Sequence, residues 1–446
     1  MEQVDFELVE QPGQENHTIL FFGDFHLSNS STTKDLTQVN TFTNEINAYL
    51  KSHDDDVIYA ITLGDMTWDY NWYTNAFMFK EYLSEMNSRI SGLTFYHTIG
   101  NHDHDYVTDV DGSKDGWEVV DWDCANKYRN HMGPNNYAFN IGSVHYIILD
   151  NILCKNTTGH TVKDRFYEEK LATEAIDFLR ADLKYVAEDT PIVIASHSPY
   201  YSQAGKSNVA NLSQLELLLT PYSNVRLVTG HSHKLWNYRK GNVMEHNSGS
   251  ICAAWWGGGS YNSTLNIAQD GALGGYRVMD VDGKAMNSIF KTIGRSENYQ
   301  FRSYDRNSIE ITAAKFLPSA SSTNKKTFDD YVAKYSDYGT VSSKNEVIIN
   351  IWDWDEKWKL EITENGKPLT WSRFSGYDPL YFIAYVANRC KAGKEISYNP
   401  YKTNHLFKTV ASSPDSVLEI KVTDDQGRVF TENMQRPKAF SIEQYK

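Results

Sequence analysis

Five short apolar segments of this chain are each followed, at the point where the segment ends, by residues of types that can bind metal ions. Each segment has the length of a β-strand and is rich in β-branched or aromatic residues, which predicts a strand. The segments and the residues after them are 19–22 before Asp24 and His26, 57–63 before Asp65, 93–99 before Asn101 and His102, 192–195 before His197, and 225–229 before His231 and His233. Because ligand sites of α/β sheets gather beyond the carboxyl ends of strands, these side chains are expected to meet at one sheet edge.

The segments between these strands predict the fold class. Helical spacing of apolar residues runs through residues 35–50, 77–90 and 166–186, and a further strand is predicted at 144–149. Strands that alternate with helices indicate an α/β domain with layered parallel or mixed sheets.

The pattern changes after about residue 295. Segments 347–352, 358–362 and 418–422 are predicted strands, and turn pairs such as Asn365-Gly366 and Gln426-Gly427 separate such strands. Residues 318–326 are polar and are predicted to form a loop. A length of 446 residues fits two or three domains. The second half is therefore predicted to end in an antiparallel β module.

The charge and hydropathy of the chain limit which kinds of partner it can bind. The net charge is −14 and the sequence pI about 5.5, which argues against nucleic acid as a partner because such binding needs basic surfaces. Bound metal ions reverse the local field, so an anionic small-molecule substrate is still compatible. No apolar run approaches 18 residues, so no transmembrane segment is expected.

The first residues and the cysteines bear on localisation. The start lacks the basic and apolar regions of a signal peptide, and we expect that an export signal has been removed from a periplasmic or cell-surface protein. The four cysteines have no metal-type spacing and are predicted to be buried thiols. The alternative is a disulfide bond between Cys124 and Cys154, if the protein is exported.

The metal-competent motifs are weak one by one and specific together. A Gly-Asp pair after a strand is usually only a turn, whereas His231 and His233, two residues apart in an extended segment, point to the same face. The set Asp24-x-His26, Gly64-Asp65, Gly100-Asn101-His102-Asp103, His197 and Gly230-His231-x-His233 resembles the signature of the calcineurin-like metallophosphoesterases over residues 16–295.

The resemblance implies a four-layer αββα sandwich that carries two metal ions. Its motifs assign Asp24, His26 and His233 to the first ion, Asn101, His197 and His231 to the second, and Asp65 to both as a bridge. Nitrogen and oxygen ligands suit Mn, Fe, Zn and similar ions without choosing among them. Two such ions clamp a phosphate and lower the pKa of a shared water, which becomes the nucleophile.

His102 has a separate role in this resemblance. It is expected to stabilise developing negative charge or to protonate the leaving oxygen. The carboxylate that orients this histidine lies three residues after the bridging Asp in many relatives, where this chain has Trp68; Asp69 is the candidate to replace it. Trp68 also leaves no tyrosine in place for the tyrosinate–iron bond of purple acid phosphatases, so a purple iron site is not expected.

The residues that flank the motifs allow two readings each. Asp103, His104 and Asp105 are expected to be hydrogen-bonding or solvated residues rather than ligands. Aromatic residues on the surrounding loops are either packing residues or a wall of the substrate opening: Trp68, Trp72, Tyr73, Tyr200, Tyr201 and the segment 255–261.

The tail 346–446 resembles the C-terminal β domain of some exported bacterial members of the family. The features are Trp352-Asp353-Trp354-Asp355, the segment 364–369 and the segment 436–440. The resemblance implies three units: residues 1–15 as the remnant of an N-terminal β domain or a leader, 16–295 as the catalytic domain, and 296–446 as a β-rich domain. That last domain is either a stabilising lid or oligomer contact, or a module that shapes substrate access.

These observations together predict a metal-dependent hydrolase of a small phosphomonoester or phosphodiester. A nuclease of the same family is one alternative, which the acidic charge disfavours. A non-catalytic, metal-stabilised surface binding protein is the other, and the complete ligand set disfavours it.

Overall fold

The computed structural model of the chain describes residues 13–159, 161, 163–256 and 265–446. The first twelve residues, where most of the expected N-terminal remnant falls, lie outside the described residues. So do residues 257–264, which include most of the segment 255–261.

The strands and helices alternate through the first half of the chain and strands dominate the second. In chain order the strands are β1 (Asn16–Phe22), β2 (Ile58–Thr62), β3 (Thr94–Tyr96), β4 (Tyr137–Ile141), β5 (Val144–Ile148), β6 (Ile152–Cys154), β7 (Tyr167–Glu169), β8 (Ile192–Ala195), β9 (Val225–Thr229), β10 (Leu235–Lys240), β11 (Val243–Ser248), β12 (Gly275–Asp282), β13 (Ala285–Thr292), β14 (Arg302–Asp305), β15 (Glu346–Asn350), β16 (Lys359–Glu364), β17 (Lys367–Pro368), β18 (Trp371–Gly376), β19 (Thr403–Val410), β20 (Leu418–Thr423) and β21 (Val429–Met434). The helices are α1 (Asp35–Gln38), α2 (Asn40–Ser52), α3 (Trp72–Asn75), α4 (Phe79–Arg89), α5 (Gly112–Asp115), α6 (Trp117–Cys124), α7 (Asn126–Met132), α8 (Thr173–Asp182), α9 (Leu212–Leu219), α10 (Ala313–Phe316), α11 (Ser322–Tyr335), α12 (Pro379–Tyr381) and α13 (Ala387–Lys391).

Two mixed sheets form the centre of the first domain. One has the strand order β13-β12-β1-β2-β3, and the other has the order β10-β11-β9-β8-β5-β4. The inner strands β1, β2 and β3 run parallel, as do β5, β8, β9 and β11, whereas β12, β13, β10 and β4 pair in the antiparallel sense. The parallel strands therefore bring their carboxyl ends to a common edge.

The period-2 alternation of β1 shows how the layers pack. Ile19 and Phe21 point into the core between the two sheets, and Leu20 and Phe22 point outward against the helical layer. On the far side of the second sheet, Ile192 and Ile194 pack in one core with α8 and α9. Burying a large apolar side chain contributes about 1.5–3 kcal/mol to the free energy of folding. The layers are therefore helix, sheet, sheet and helix, as expected for an αββα sandwich.

The second half contains two antiparallel sheets, with the orders β14-β15-β19-β18 and β17-β16-β20-β21. The predicted turn pair Asn365-Gly366 connects β16 to β17, and both residues have positive φ, 52° and 71°. A buried ion pair connects this region to the sandwich: Arg277 Nη2 on β12 lies 2.7 Å from Asp353 Oδ1. Among the described residues, no helix is long and apolar enough to cross a membrane.

Two local predictions were wrong. Helical spacing begins at residue 166, but residues 167–169 form β7, because pairing with β6 satisfies this backbone from a distant part of the chain. The predicted loop 318–326 contains the start of α11, whose N-cap residue Ser321 accepts a hydrogen bond from the Asn324 backbone N–H at 3.2 Å. The exposed first turn of that helix is polar, so its composition resembles that of a loop.

The four cysteines are buried free thiols, as predicted. Cys124 on α6 and Cys154 on β6 face each other with Sγ atoms 2.8 Å apart. A disulfide bond between them under oxidising conditions stays an untested alternative.

Candidate metal centre

The loops that follow β1, β2, β3, β8 and β9 converge at one edge of the sandwich. They bring together the seven side chains predicted from the motifs: Asp24, His26, Asp65, Asn101, His197, His231 and His233. Six of these residues are buried, and His231 is partly exposed at the floor of a cleft. The expectation of a common site at a sheet edge is confirmed; the role of each residue stays a prediction.

The first group of ligand atoms consists of Asp24, His26 and His233. The Nε2 atoms of His26 and His233 lie 3.0 Å apart, and Asp24 Oδ1 lies 3.3 Å from His233 Nε2 and 3.8 Å from His26 Nε2. Metal–ligand bonds of ~2.0–2.2 Å place neighbouring ligand atoms about 3.0–3.7 Å apart. Two of the three distances fall in this range and the third, 3.8 Å, lies just beyond it, so a cation fits between the three residues after a small shift of one side chain.

The second group consists of Asn101, His197 and His231. His197 Nε2 lies 2.9 Å from Asn101 Oδ1 and 3.0 Å from His231 Nδ1. Asp65 joins the two groups, because its Oδ2 atom lies 3.3 Å from His197 Nε2 and 3.5 Å from His26 Nε2. A carboxylate in this position is placed to be shared by two ions.

The outer hydrogen bonds of the histidines set which ring nitrogen faces inward. His197 Nδ1 donates to the Leu63 carbonyl at 2.7 Å, and His233 Nδ1 donates to the Ala253 carbonyl at 2.7 Å. In the neutral rings, the Nε2 atoms then carry lone pairs that point at other acceptors. Lone pairs that converge at such distances repel one another unless a cation lies between them, so this donor set fits a metal ion.

The charges of these residues also favour a bound metal ion. Burial would raise the pKa of Asp65, yet the neighbouring His197 and His102 hold it well below its ordinary value, so the carboxylate is ionised. Burial lowers the pKa of His197, but Asp65 and Asp24 outweigh burial and raise it to about 9. The buried carboxylates therefore favour positive charge at this place, and a metal ion supplies it without protonating a ligand.

Backbone geometry marks the same residues. Five of the seven predicted ligands have left-handed backbones, with φ of 56° at Asp24, 47° at His26, 53° at Asp65, 63° at His231 and 56° at His233. Non-glycine residues seldom adopt this region, and such strain concentrates at functional sites, where surrounding contacts maintain it. The strained turns aim each side chain back over the end of its strand.

Two glycines allow the loops to approach closely. A Cβ on Gly230 would lie 2.6 Å from Asp24 Oδ2, and a Cβ on Gly100 would collide with the Asp65 carboxylate. The motif glycines are therefore needed for packing space next to the ligands.

His102 lies beside the cluster with two charged partners. Its Nδ1 lies 2.7 Å from Asp69 Oδ1, so the structure brings together the pair proposed from the sequence. Arg165, on the segment before β7, lies 3.2 Å from Asp69 Oδ1 and packs its guanidinium 4.1 Å from the centroid of the Tyr70 ring. Sequence reasoning missed Arg165, because no motif surrounds it.

The three residues after His102 are hydrogen-bonded, as predicted. Asp103 accepts the backbone N–H groups of Gly100 at 2.9 Å and Met66 at 3.1 Å, which ties two of the ligand loops together. His104 Nδ1 donates to the Gly100 carbonyl, and Asp105 pairs with Lys127 Nζ at 2.6 Å.

The aromatic candidates separate into packing residues and lining residues. Trp72, Tyr200 and Tyr201 are buried in the core, and the Tyr73 hydroxyl donates to Asp105. Trp255 does line the opening: its ring centroid lies 4.2 Å from that of His26, and Trp68 packs edge-on against it.

A cleft of about 580 Å³ opens over the metal cluster. Residues that no motif predicted line it: Tyr167, Glu169, Lys234, Tyr398 and Tyr401. Cys252 was also missed; it lies behind the site, with Sγ 3.7 Å from His233 Nδ1. Tyr398 and Tyr401 come from the C-terminal domain, so distance along the chain hid them.

Two family models match the chain. Residues 17–235 match the model described as calcineurin-like phosphoesterase, and residues 245–430 match the model described as the C terminal of calcineurin-like phosphoesterase. No curated protein matches.

Solved structures similar to the chain share little sequence with it. A purple acid phosphatase from yellow lupin seeds is 12% identical, with 62% of this chain and 51% of that chain covered and a TM-score of 0.40. GAP50, the anchor in the inner membrane complex of Plasmodium, is 11% identical, with 63% and 85% covered and a TM-score of 0.35. Phosphopantetheinyl hydrolase from Mycobacterium tuberculosis is 13% identical, with 53% and 91% covered and a TM-score of 0.31. The match spans about half the length of the lupin protein.

Proposed function

This chain belongs to the calcineurin-like phosphoesterase family, and on that premise we propose that it hydrolyses small phosphomonoesters or phosphodiesters at a dinuclear metal site. The first ion is assigned to Asp24, His26 and His233, and the second to Asn101, His197 and His231. Asp65 bridges them.

The position of Asp65 is the observation that carries this proposal. One carboxylate oxygen lies 3.5 Å from His26 in the first group and 3.3 Å from His197 in the second. A site for a single ion would not need two sets of nitrogen and oxygen ligands on either side of one shared carboxylate.

Metal ions bound in this site supply Lewis-acid stabilisation of the phosphate oxygens and a water acidic enough to attack phosphorus near neutral pH. The protein contributes fixed ligands, because buried hydrogen bonds from His197 and His233 to backbone carbonyls hold their rings in place. Preorganised groups of this kind need no rearrangement during the reaction.

His102 handles the proton of the leaving group. Asp69 lies against its Nδ1 and orients the ring, so that the other ring nitrogen can pass a proton to the departing oxygen. Arg165 adds a positive charge beside this pair, which favours a negatively charged phosphate oxygen in this part of the site.

The alternatives find less support in the chain. A nuclease requires a basic track for the phosphate backbone, and the net charge is −14. A non-catalytic binding protein would not require His102 to be paired with a buried carboxylate beside a complete set of ligands.

Hydrolysis of p-nitrophenyl phosphate and of its bis-ester, with Mn, Zn or Fe added in turn, tests the proposal. Turnover that depends on metal supports it, and the ratio of the two rates separates monoesterase from diesterase. Absence of turnover with every metal and every phosphate ester would refute it.

A further inference from the structure

The C-terminal domain contributes one wall of the cleft over the predicted metal-ligand residues. Tyr398 and Tyr401, on the segment before β19, line the opening together with Trp255 and Lys234 of the catalytic domain. Both tyrosines are half-buried and line the cleft. The reaction centre is therefore complete without this domain, whereas the cleft is not.

Hydrogen bonds to two loops from earlier in the chain fix this wall. Gln269 Nε2 donates to the Asn399 carbonyl at 2.6 Å, and the Tyr401 N–H donates to the Gln269 carbonyl at 3.1 Å. On the other side, Gln203 Nε2 donates to the Lys402 carbonyl at 2.8 Å. The tyrosines are thus held on a backbone that is anchored at both ends of the wall, which is what a binding surface requires.

Three rings lead outward from the metal ligands in nearly parallel planes. His233 and Trp255 have centroids 6.0 Å apart with an interplanar angle of 4°, and Trp255 and Tyr398 have centroids 6.0 Å apart with an angle of 19°. The rings stack against one another, so they form a rigid aromatic wall beside the opening, against which a ring of a ligand can pack.

Polar groups border the aromatic surface. Lys234 Nζ lies 4.7 Å from the centroid of the Tyr401 ring. Among the described residues, the hydroxyls of Tyr398 and Tyr401 have no hydrogen-bonding partner, so they are available to a ligand. A cleft of about 580 Å³ is within the ~300–1,000 Å³ range of sites for organic ligands, and far larger than a phosphate group needs.

From these contacts we propose that Tyr398 and Tyr401 form, with Trp255, a leaving-group subsite that selects phosphate esters whose leaving group carries a ring close to the phosphate. The ring, an aromatic base or a sugar, stacks on the aromatic surface, and its polar groups meet the two hydroxyls and Lys234. This inference rests on the proposed phosphoesterase function.

Kinetics with matched substrates test the subsite. Adenosine 5′-monophosphate and glucose 1-phosphate carry rings, and glycerol 2-phosphate does not. We expect Tyr398→Ala and Tyr401→Ala to lower kcat/KM about tenfold for at least one ring substrate, with glycerol 2-phosphate changed less than about twofold. Which ring substrate responds distinguishes a base from a sugar. Equal losses on all three substrates, or no loss on any, would overturn the proposal.

Two further variants separate stacking from other effects. Tyr398→Phe keeps the ring and loses the hydroxyl, so a loss confined to Tyr398→Ala assigns the effect to stacking. Tyr185→Ala, at a tyrosine that is 91% exposed on the surface of the catalytic domain, is the control and is expected to behave as the unmodified protein.

A binding measurement tests the subsite without relying on turnover. Calorimetry of the metal-loaded protein with phenylphosphonate and methylphosphonate is expected to show tighter binding of phenylphosphonate, and Tyr398→Ala is expected to abolish the difference. Equal affinities in the unmodified protein would overturn the subsite. A preserved preference without hydrolysis of any ester would refute the proposed function and leave the subsite standing.

Discussion

His102 and Asp69 lie against each other at the mouth of the metal cleft, with Nδ1 2.7 Å from Oδ1. Asp69 is 1% exposed and starts the helical turn Asp69–Asn71, and its Oδ1 atom also lies 3.2 Å from Arg165 Nη1. The pairing matters because a histidine that transfers a proton needs one ring nitrogen fixed while the other faces the substrate.

Replacing Asp69 by Asn tests this pairing. The amide keeps the shape but does not stabilise a protonated ring, so we expect kcat to fall by about 10- to 100-fold with metal content unchanged. Steady-state kinetics and elemental analysis measure the two quantities. Asp105→Asn, a carboxylate on the same side that pairs with Lys127, is the matched control. Equal activity of Asp69→Asn and the unmodified protein would exclude the orienting role.

His102 itself is expected to act in the reaction without holding metal. His102→Ala should retain the metal ions and lose about 10²- to 10⁴-fold in kcat, the usual contribution of general acid catalysis. Metal content and kcat measured on the same sample decide the point. Loss of metal in His102→Ala would show that this histidine is a ligand instead.

Arg165 is expected to contribute to phosphate binding. Its guanidinium lies 3.2 Å from Asp69 and stacks on Tyr70, which leaves it oriented beside the reaction centre. Arg165→Ala should lower kcat/KM about 10- to 100-fold and weaken inhibition by inorganic phosphate. Arg165→Lys should recover only part of the lost activity, because lysine lacks the planar guanidinium group. Arg180→Ala, which removes a surface pair with Asp177, is the control. Unchanged phosphate inhibition in Arg165→Ala would contradict the assignment.

The histidine His97 is expected to make the folded protein less stable in acid. Burial lowers its pKa to about 4, so the folded protein holds it neutral while the unfolded chain takes up a proton below about pH 6.5. The unfolded state then binds more protons, and stability falls by about 1.4 kcal/mol per pH unit as the pH drops from about 6.5 to about 4. His97→Gln should lack this part of the decline.

Thermal unfolding midpoints at pH 7 and pH 4.5 measure the difference between the two proteins. His131→Gln, at an exposed position of α7, is the control for replacing a histidine. An identical acid shift in His97→Gln and in the unmodified protein would show that His97 is not the group responsible.

The meeting of the predicted ligand residues at one sheet edge could be foreseen because their signals are local. Asp24, Asp65 and His197 each follow a strand whose apolar residues are adjacent in the sequence, and the carboxyl ends of parallel strands must meet. The alternation of Ile19 and Leu20 between two cores likewise follows from period-2 geometry.

What the sequence did not reveal depends on distant contacts. Arg165 reaches His102 from a segment 63 residues away, and Tyr398 reaches Trp255 from a distant segment of the chain. Neither residue has a motif around it. The left-handed backbones of Asp24 and Asp65 are also invisible in composition, since they are imposed by surrounding contacts. The domain boundary near residue 295 and export from the cytoplasm stay predictions.

The metal content of Asp65→Ala tests the central claim most directly. Elemental analysis of the purified proteins should find about two metal ions per chain in the unmodified protein and a clear loss from Asp65→Ala, because one carboxylate oxygen serves both ligand groups. Full retention of both ions in Asp65→Ala, or a single ion in the unmodified protein after saturation with metal, would contradict a dinuclear centre bridged by Asp65.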